Sequence, residues 1–313
     1  MTASVGSSEV YNQQMFLAGH TAYYSLFRPG AKTFFVGPSG YTAAAGGIAA
    51  SDGNDGEAPH RPLATGQQAH TLCVSGRGDT ICYLPGTHTL TSPLAITKNN
   101  VRVVLLDPTA AVLQGDGVIT ELLQLDANYI LVAGLRLVQA TACVRLIDIA
   151  DTTATTGIRI HHNHLIGGAV ASAYGIRNGE DQSGNDALET YIGDNLISNF
   201  SAANILTYGG NCEIVRNHIY IRDAGIGVQL GDQGAAFTRL PCFIMHNAFS
   251  GATDAGNEVP IDFAGTEANT QLWVAHGNVF AHCASPTTNK HPEGKGANYT
   301  GTATATAPTL TQF

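Results

Sequence analysis

The sequence predicts an all-β protein folded as a parallel β-helix, a solenoid with an N-terminal arm and a short capping helix. Two observations predict this fold: short strand-like segments recur along the chain, and five of them carry an asparagine in an equivalent position. Composition is the third observation. With 36 glycines among 313 residues and a charged fraction of only 12%, the chain is unlike a coiled coil, a helical bundle or a charge-rich disordered protein.

The repeat is defined by five asparagines that follow one another at steps of 32, 22, 30 and 31 residues: Asn163, Asn195, Asn217, Asn247 and Asn278. An isoleucine precedes each of the first four by three positions, and an apolar residue follows all five by two. Periods of about 20 to 50 residues indicate stacked architectures, and a propeller needs longer units of about 40 to 50. Stacking at about 4.8 Å places equivalent side chains in columns. We therefore predict a ladder of turn asparagines beside a core column of isoleucines.

The chain divides into three regions. Residues 1–33 lie outside the repeat, residues 34–283 form the β-helix with its N-terminal cap, and residues 284–313 form an extended tail that is a candidate for exchange between subunits. A short helix is expected at 65–74 with Thr65 as its N-cap. The first region is either a flexible terminus or an anchoring arm that docks on another chain. Its candidate interface residues are Tyr11, Met15, Phe16, Tyr23, Tyr24 and Phe27.

Charge and cysteine content restrict the class of protein. The net charge of −9, with only 15 Lys plus Arg, argues against nucleic acid and against an anionic membrane as partners. We expect no Sec-type signal and no membrane-spanning segment, since no apolar run approaches about 18 residues. The six cysteines include no CxxC pair, which disfavours a zinc knuckle. Cys212 and Cys242 are equivalent in the repeat, and buried thiols are preferred over a disulfide there.

The entry segment carries a resemblance to a known superfamily. Its features are the run Phe34-Phe-Val-Gly-Pro-Ser-Gly, the loop Ser51-Asp-Gly-Asn-Asp-Gly, and the segment Gly76-Arg-Gly-Asp-Thr-Ile-Cys-Tyr-Leu-Pro-Gly-Thr. With the repeat, they resemble the pectate-lyase-like right-handed parallel β-helix superfamily over about residues 33–283, and most of all its bacteriophage virion members. The resemblance implies a right-handed, single-stranded coil. It implies little about activity, because the superfamily includes lyases, hydrolases, epimerases, tailspikes and non-catalytic virion proteins.

Candidate catalytic residues are few, and none is assigned a catalytic role. An acidic cluster contains the weak candidates Glu180, Asp181, Asp186 and Glu189. Two carboxylates at a fixed separation serve glycoside hydrolysis, but a solvated Gly/Asn/Asp turn is the preferred interpretation. A lyase would need a basic residue beside a sugar acid. It is the weaker enzymatic option, because ion-paired surface positions are the preferred interpretation of the basic candidates: Arg159, Arg177, Arg216 and Arg222.

Histidines are the candidates for a metal site. His162 aligns with His246 in the repeat, and His164 aligns with His218. A metal needs two or three imidazoles at one point, whereas Leu196 interrupts the second of these columns. We therefore expect no metal and no cofactor, with solvent-facing or inter-subunit histidines instead.

Two functions from different classes remain. The first is a non-catalytic bacteriophage virion protein, a homotrimeric decoration or spike protein attached to the major capsid protein or the tail through the N-terminal arm. The second is a tailspike-type or secreted polysaccharide-degrading enzyme, a hydrolase rather than a lyase, acting on a host surface glycan. The expected location is the virion.

Overall fold

The computed structural model describes fourteen segments: residues 30–41, 47–105, 111–117, 119–140, 143–149, 154–168, 173–179, 187–208, 210–231, 242–252, 258–263, 273–283, 297–301 and 309–312. These segments form three long sheets, one short helix and a small two-stranded sheet. Successive turns of the chain stack strand above strand in parallel register. The predicted all-β, right-handed parallel β-helix is confirmed.

From β2 to β24, each coil contributes one strand to each of the three long sheets, in the order A, B, C. Sheet A has nine strands: β1 Thr33–Val36, β2 Thr80–Tyr83, β5 Arg102–Leu105, β8 Leu131–Ala133, β12 Arg159–His161, β16 Tyr191–Gly193, β19 Cys212–Val215, β22 Cys242–Met245 and β25 Trp273–His276. Sheet B has ten: β3 Gly86–Leu90, β6 Ala111–Gly115, β9 Arg136–Val138, β13 His164–Ile166, β17 Leu196–Ser198, β20 His218–Ile221, β23 Ala248–Gly251, β26 Val279–Ala281, β27 Ala297–Gly301 and β28 Thr309–Gln312.

Sheet C and a two-stranded sheet complete the coils. Sheet C has seven strands: β4 Leu94–Ile96, β7 Glu121–Leu125, β10 Arg145–Ile149, β14 Tyr174–Asn178, β18 Ala203–Thr207, β21 Ile226–Leu230 and β24 Val259–Phe263. The small sheet pairs β11 Thr155–Thr156 with β15 Ala187–Leu188.

After the second coil, variation in coil length is confined to two of the three corners. From β8 onward two residues connect sheet A to sheet B in each coil, whereas the connections to and from sheet C differ in length. The step of 22 residues from Asn195 to Asn217 arises because both variable connections of this coil are short, with four residues at 199–202 and four at 208–211. The pairing of β16 with β19 stays in register across this step.

The core is a set of side-chain columns that run along the stack. Ile160, Ile192, Ile214 and Ile244 are neighbours in sheet A, and each is fully buried. Strand residues alternate between the two faces of a sheet, so the intervening residues face outward. No single coil encloses this core, and stability therefore depends on contacts between neighbouring coils.

A helix packs against the first coil, as the sequence predicts. Helix α1 spans Gly66–Leu72, within the expected range 65–74, and the Thr65 side chain accepts a hydrogen bond from the main-chain N of Gln68 at 3.1 Å. At its other end, the Lys98 ammonium donates to three main-chain carbonyls at 2.8 Å each. A cation at this end also favours the helix dipole. No helix in the described segments is long and apolar enough to span a membrane.

The loop before α1 covers the outer face of sheet A. A second apolar cluster there contains Phe35, Cys82, Leu84 and Val104, each at most 6% exposed. The Asp52 carboxylate fixes the loop, because it accepts hydrogen bonds from the main-chain N atoms of Ala64 and Thr65 at 3.0 and 2.9 Å. The Ser-Asp-Gly-Asn-Asp-Gly segment therefore joins the loop to the helix N-terminus.

Both ends of the β-helix are tied to the stack. The main-chain N of Lys32 donates to the buried Asp79 carboxylate at 2.8 Å, and Arg77 forms an ion pair with the same carboxylate at 2.6 Å. At the other end, β27 pairs in parallel with β26, and β28 returns antiparallel to β27. The described parts of residues 284–313 thus extend sheet B of their own chain.

Candidate functional site

The five turn asparagines lie in one column at the corner between sheets A and B. Each is at most 2% exposed. The Asn195 side-chain Nδ2 donates to Asn217 Oδ1 at 2.9 Å and to the Ile160 carbonyl at 3.0 Å. The Asn195 main-chain N donates to the same Oδ1 at 3.0 Å, and this pattern repeats from Asn163 to Asn278. Full pairing offsets the cost of burying these amides.

The residue before each ladder asparagine has a left-handed backbone. The column, which begins one coil earlier, is Gly134, His162, Asp194, Arg216, His246 and Gly277, with φ between 52° and 69°. A side chain in this conformation costs about 1–2 kcal/mol, which glycine avoids. The ladder imposes this left-handed conformation because the asparagine that follows is held by hydrogen bonds to the coils on both sides of it. The result is a row of polar side chains along this corner.

A second ladder lies at the corner between sheets C and A, and the sequence analysis missed it. The main-chain N of Asn128 donates to Asn99 Oδ1 at 2.9 Å, and that of Thr156 donates to Asn128 Oδ1 at 2.9 Å. The next residues, Asn100, Tyr129 and Gly157, again have positive φ. The signal was a polar residue three positions before each of the strands β5, β8 and β12, and it is weak because threonine replaces asparagine before β12 and leucine holds the equivalent position before β16.

Arg216 and Asp194 form an ion pair on adjacent coils of the polar row. Arg216 Nε donates to Asp194 Oδ1 at 2.8 Å, and Arg216 Nη2 donates to Oδ2 at 2.8 Å. The Tyr191 hydroxyl accepts from Arg216 Nη2 at 2.6 Å and lies 3.2 Å from Asp194 Oδ2. Hydrogen bonding from Arg216 lowers the pKa of the Asp194 carboxyl. This carboxylate therefore remains ionised at neutral pH.

A second ion-pair network lies on the outer face of sheet C. The Asp148 carboxylate is fully buried and accepts two hydrogen bonds from Arg177, at 2.6 and 2.8 Å. Arg145 also contacts Asp148 and pairs with Glu121 at 3.0 Å. Burial raises the pKa of Asp148, and the two guanidinium groups oppose that rise. The arrangement holds three adjacent coils together.

The histidine candidates for a metal site do not converge. His164 and His218 are each paired with Leu196, which lies between them. His162 and His246 are separated by Asp194 and Arg216 in the polar row. In the part of the chain that the structure describes, no group of three or more His, Cys, Asp or Glu is placed to hold a metal ion.

His161 differs from its neighbours because it is buried on the outer face of sheet A. It is 5% exposed, and its ring lies perpendicular to that of His162, with 5.3 Å between the centroids. Burial, and then the neighbouring His162, lower the pKa of His161 to about 4. Its imidazole is therefore neutral at pH 7.

The two equivalent cysteines are in register inside the stack. Cys212 pairs with Cys242 across β19 and β22, and both side chains are fully buried free thiols. Contact with Cys212, and then burial, raise the pKa of the Cys242 thiol well above its usual value. A thiol held protonated in this way is a poor nucleophile.

A cavity of about 280 Å³ lies between α1, the turn at 37–40 and strand β3. Its described lining contains no charged side chain. The buried Tyr83 hydroxyl has no hydrogen-bond partner among the described residues, and His88 packs edge-on against the Tyr83 ring at 4.8 Å. Glycine is required at position 66, since a Cβ there would lie 2.0 Å from the Tyr83 oxygen. The cavity offers only uncharged hydrogen-bonding groups.

Comparison with solved structures identifies the architecture. The chain matches pectin methylesterase PemA from Erwinia chrysanthemi with a TM-score of 0.58, over 88% of this chain and 90% of that chain, at 9% identity. It matches pectate lyase Pel9A with a TM-score of 0.56, over 88% and 79% of the two chains, at 10% identity. The fold is the pectate-lyase-like right-handed parallel β-helix. Identities this low show the fold alone.

Other comparisons add little to this. A protein of Geobacillus virus E2, ORF18, matches with a TM-score of 0.40 and 12% identity over 79% of this chain and 59% of that chain, which is too low to bear on fold or function. No protein-family model matches the sequence, and no curated protein matches it.

The structure also describes the four arginine candidates for a lyase site. Arg177 pairs with Asp148, Arg216 pairs with Asp194, and Arg222 Nη1 donates to the Gly168 carbonyl at 3.2 Å. Arg159 lies exposed in β12. The structure therefore places Arg177 and Arg216 in the ion pairs that the sequence analysis offered as the alternative to substrate contacts.

Several candidates lie outside the described residues. These are Glu180, Asp181 and Asp186 of the acidic cluster, and Tyr11, Met15, Phe16, Tyr23, Tyr24 and Phe27 of the arm. The fourth acidic candidate, Glu189, is described: it adopts a positive φ of 53°, and its Oε2 accepts a hydrogen bond from the Thr156 hydroxyl at 3.2 Å. Glu189 thus forms part of the corner between sheets C and A.

Proposed function

We propose that this chain is a non-catalytic structural protein of a bacteriophage virion, a homotrimeric β-helix decoration or spike protein attached to the capsid or tail through residues 1–33. The observation that carries the proposal is the continuous asparagine ladder from Asn163 to Asn278. It fixes one corner of five successive coils with identical hydrogen bonds, which makes the stack a rigid rod. A rigid rod is suited to projecting from a particle surface.

The chemistry of two described carboxylates, Asp194 and Asp148, supports a structural role. Glycoside hydrolysis requires one carboxyl group that is protonated at working pH and reachable by substrate. Asp194 has a lowered pKa because Arg216 holds its anion, and Asp148 is fully buried beneath two arginines. Both act as links between coils.

The attachment through the arm rests on composition. Residues 1–33 carry aromatic and other apolar side chains but lie outside the repeat, so they have no column of the core to join. Apolar segments of this kind usually mark an interface with another protein. The scarcity of Lys and Arg favours a protein surface over nucleic acid or an anionic membrane as the partner.

The test removes the arm and leaves the stack intact. A phage lacking its own copy of the gene is complemented with the full chain or with a chain lacking residues 1–29, which retains Lys32 and strand β1. We expect the shortened protein to fold and to form trimers by light scattering, but to be missing from purified particles. Incorporation at the full-length copy number would overturn the attachment. A full-length mass near 32.6 kDa would overturn the trimer.

A further inference from the structure

The first strand of each long sheet has one edge that no earlier strand of that sheet covers. These strands are β1 in sheet A, β3 in sheet B and β4 in sheet C. Main-chain N–H and C=O groups along such an edge can pair with another chain unless something covers them. Two of the three edges are hydrogen-bonded by this chain itself, whereas the described residues leave the third without such bonds.

The edges of β1 and β4 are closed by the loop before α1 and by α1. The Phe35 main-chain N donates to the Gly56 carbonyl at 2.7 Å, and the Phe35 carbonyl accepts from the Leu63 main-chain N at 2.8 Å. On β4, the Ala95 main-chain N donates to Gln67 Oε1 of the helix at 3.3 Å. The chain therefore protects these two edges by its own contacts.

Strand β3 has no such protection. The Asp116 main-chain N donates to the Leu90 carbonyl, so the main-chain groups of Leu90 and His88 face β6. Successive residues of a strand direct these groups to opposite sides, and those of Thr87 and Thr89 therefore face away from β6. Both threonines are exposed, and within the described part of the chain no hydrogen bond reaches their main-chain N and O atoms from that side.

The cavity of about 280 Å³ lies along this edge. Its walls are the turn at 37–40, which leaves sheet A after β1, and the first residues of α1, which covers the edge of sheet C. Among the described residues, the coil that begins with β1 has no strand in sheet B. A main chain lying about 4.8 Å from β3 would enter the cavity and pair with Thr87 and Thr89.

The lining of the cavity restricts the segment that can enter it. The described lining contains hydroxyl, amide, aliphatic and aromatic side chains but no charged one. Burial lowers the pKa of His88, so its imidazole is also neutral at pH 7. A charged side chain buried here would find no opposite charge. The cavity therefore suits an extended peptide whose side chains are uncharged at this point.

We infer that an extended, uncharged segment of the virion protein that holds this chain adds to sheet B as a strand beside β3; this rests on the attachment proposed above. Only residues 30–32 separate the arm from β1, so the arm joins the stack at the end where the β3 edge is open. A protein that binds the arm is therefore within reach of that edge. In strand addition, main-chain hydrogen bonds supply affinity and side-chain pockets supply specificity.

Hydrogen exchange of main-chain amides, measured by mass spectrometry, tests whether the edge is occupied. Three samples are compared: the isolated full chain, the isolated chain lacking residues 1–29, and the full chain in purified phage particles. We expect the Thr87 and Thr89 amides to exchange rapidly in both isolated samples and at least about tenfold more slowly in particles. The amides of His88 and Leu90, which face β6, should be protected in all three samples and provide the control within the same strand.

The other possible occupants give different results. Slow exchange at Thr87 and Thr89 in the isolated full chain, lost when residues 1–29 are removed, would assign the edge to the arm and overturn the inference. Slow exchange in both isolated samples would assign it to a second copy or to another part of this chain, and would also overturn it. Rapid exchange in particles would show that the edge stays open. Incorporation of the shortened chain tests the attachment through the arm separately.

A proline on the edge tests whether this pairing holds the chain on the particle. Thr89→Pro removes an N–H that faces the open edge and leaves the hydrogen bonds between β3 and β6 intact, a position that proline tolerates. Thr89→Val keeps the N–H and is the matched control. We expect particles to carry about threefold fewer copies, or less still, of folded Thr89→Pro, because a main-chain hydrogen bond to the partner is lost.

The control Thr89→Val should reach the copy number of the unmodified chain, and circular dichroism checks folding. If Thr89→Pro fails to fold, Thr91→Pro repeats the test at the next residue whose main-chain groups face the edge. Normal incorporation of a folded proline variant would overturn the inference and leave the attachment through the arm standing. Equal losses in Thr89→Pro and Thr89→Val would also overturn it, because the threonine side chain would then be responsible.

Discussion

Asn217 shows how much of the stack depends on one side chain. Its Oδ1 accepts from the main-chain N and from Nδ2 of Asn195, and its Nδ2 donates to the Ile192 carbonyl. Substitution Asn217→Ala removes these three hydrogen bonds and the one that Asn217 Nδ2 donates to Asn247 Oδ1, and Asn195 Nδ2 keeps only the Ile160 carbonyl as its acceptor. Each lost hydrogen bond is worth about 0.5–1.5 kcal/mol and a buried group left unpaired costs about 1–3 kcal/mol, so we expect the free energy of unfolding to fall by about 3 kcal/mol or more.

Urea denaturation followed by circular dichroism measures this loss. The matched control is Glu213→Ala, an exposed position on the same strand β19, where the change should stay within about 0.5 kcal/mol. Equal stability of the two variants would contradict the role of the ladder.

His161 makes stability depend on pH. Its pKa in the folded protein is lowered from 6.5 to about 4, mainly by burial, so the unfolded chain binds the proton first on acidification. The folded state therefore loses stability as the pH falls from about 6.5 towards 4, by up to about 3 kcal/mol. His161→Asn should lose less stability than the unmodified chain between pH 7 and pH 4.5.

Thermal melting at the two pH values provides the measurement. His246→Asn, at an exposed position of the polar row, serves as the control and should retain the full pH dependence. An unchanged pH dependence in His161→Asn would show that this imidazole does not titrate as described. His70, whose pKa is likewise lowered to about 4 by burial and by Lys98, contributes in all three proteins.

At the scale of the element, the folding of strand β19 depends on the side chain that it adds to the core column. Ile214 is fully buried between Ile192 and Ile244. Ile214→Asp places an unpaired carboxylate in that column, at a cost of several kcal/mol, and we expect no cooperatively folded protein. Glu213→Lys, the outward neighbour on the same strand, should give a soluble protein with a normal melting transition. A cooperative melt of Ile214→Asp would contradict the inward assignment.

The sequence predicts those elements that repeat the same residue type. The corner between sheets A and B could be predicted because an asparagine side chain forms the same hydrogen bonds in each coil, as at Asn163, Asn195 and Asn217. The ladder between sheets C and A is hidden in the sequence, since its third position is threonine and not asparagine. Thr156 nevertheless joins the ladder, because its main-chain N donates to Asn128 Oδ1. The Asp194–Arg216 ion pair could not be predicted without the register between these two coils, which are separated by the shortest step in the repeat. Burial of Phe35 on an outer face depends on a loop that carries no periodic signal.

For the whole molecule, we expect the acidic turn to be dispensable. Replacement of Glu180, Asp181 and Asp186 by alanine should leave trimer mass and phage infectivity unchanged, because such turns are commonly solvated connections between coils. Light scattering and plaque counts measure both properties, with the unmodified chain as control. Incubation with host capsule polysaccharide and assay of reducing ends completes the test. A cleaving activity that disappears in the triple variant would favour the enzyme instead.

The corner between sheets A and B has the same length in every coil from β8 onward, and this constancy determines how the length of the rod can change. Residues 195–216 run from one ladder position to the residue before the next, so they form a complete cassette. A tandem duplication of this cassette joins Arg216 to a new Asn195, the same kind of junction that Arg216 already makes with Asn217. Each duplication would lengthen the rod by one strand spacing, about 4.8 Å. The length of the molecule can therefore change in steps of one whole coil, each encoded by one duplicated segment of the gene.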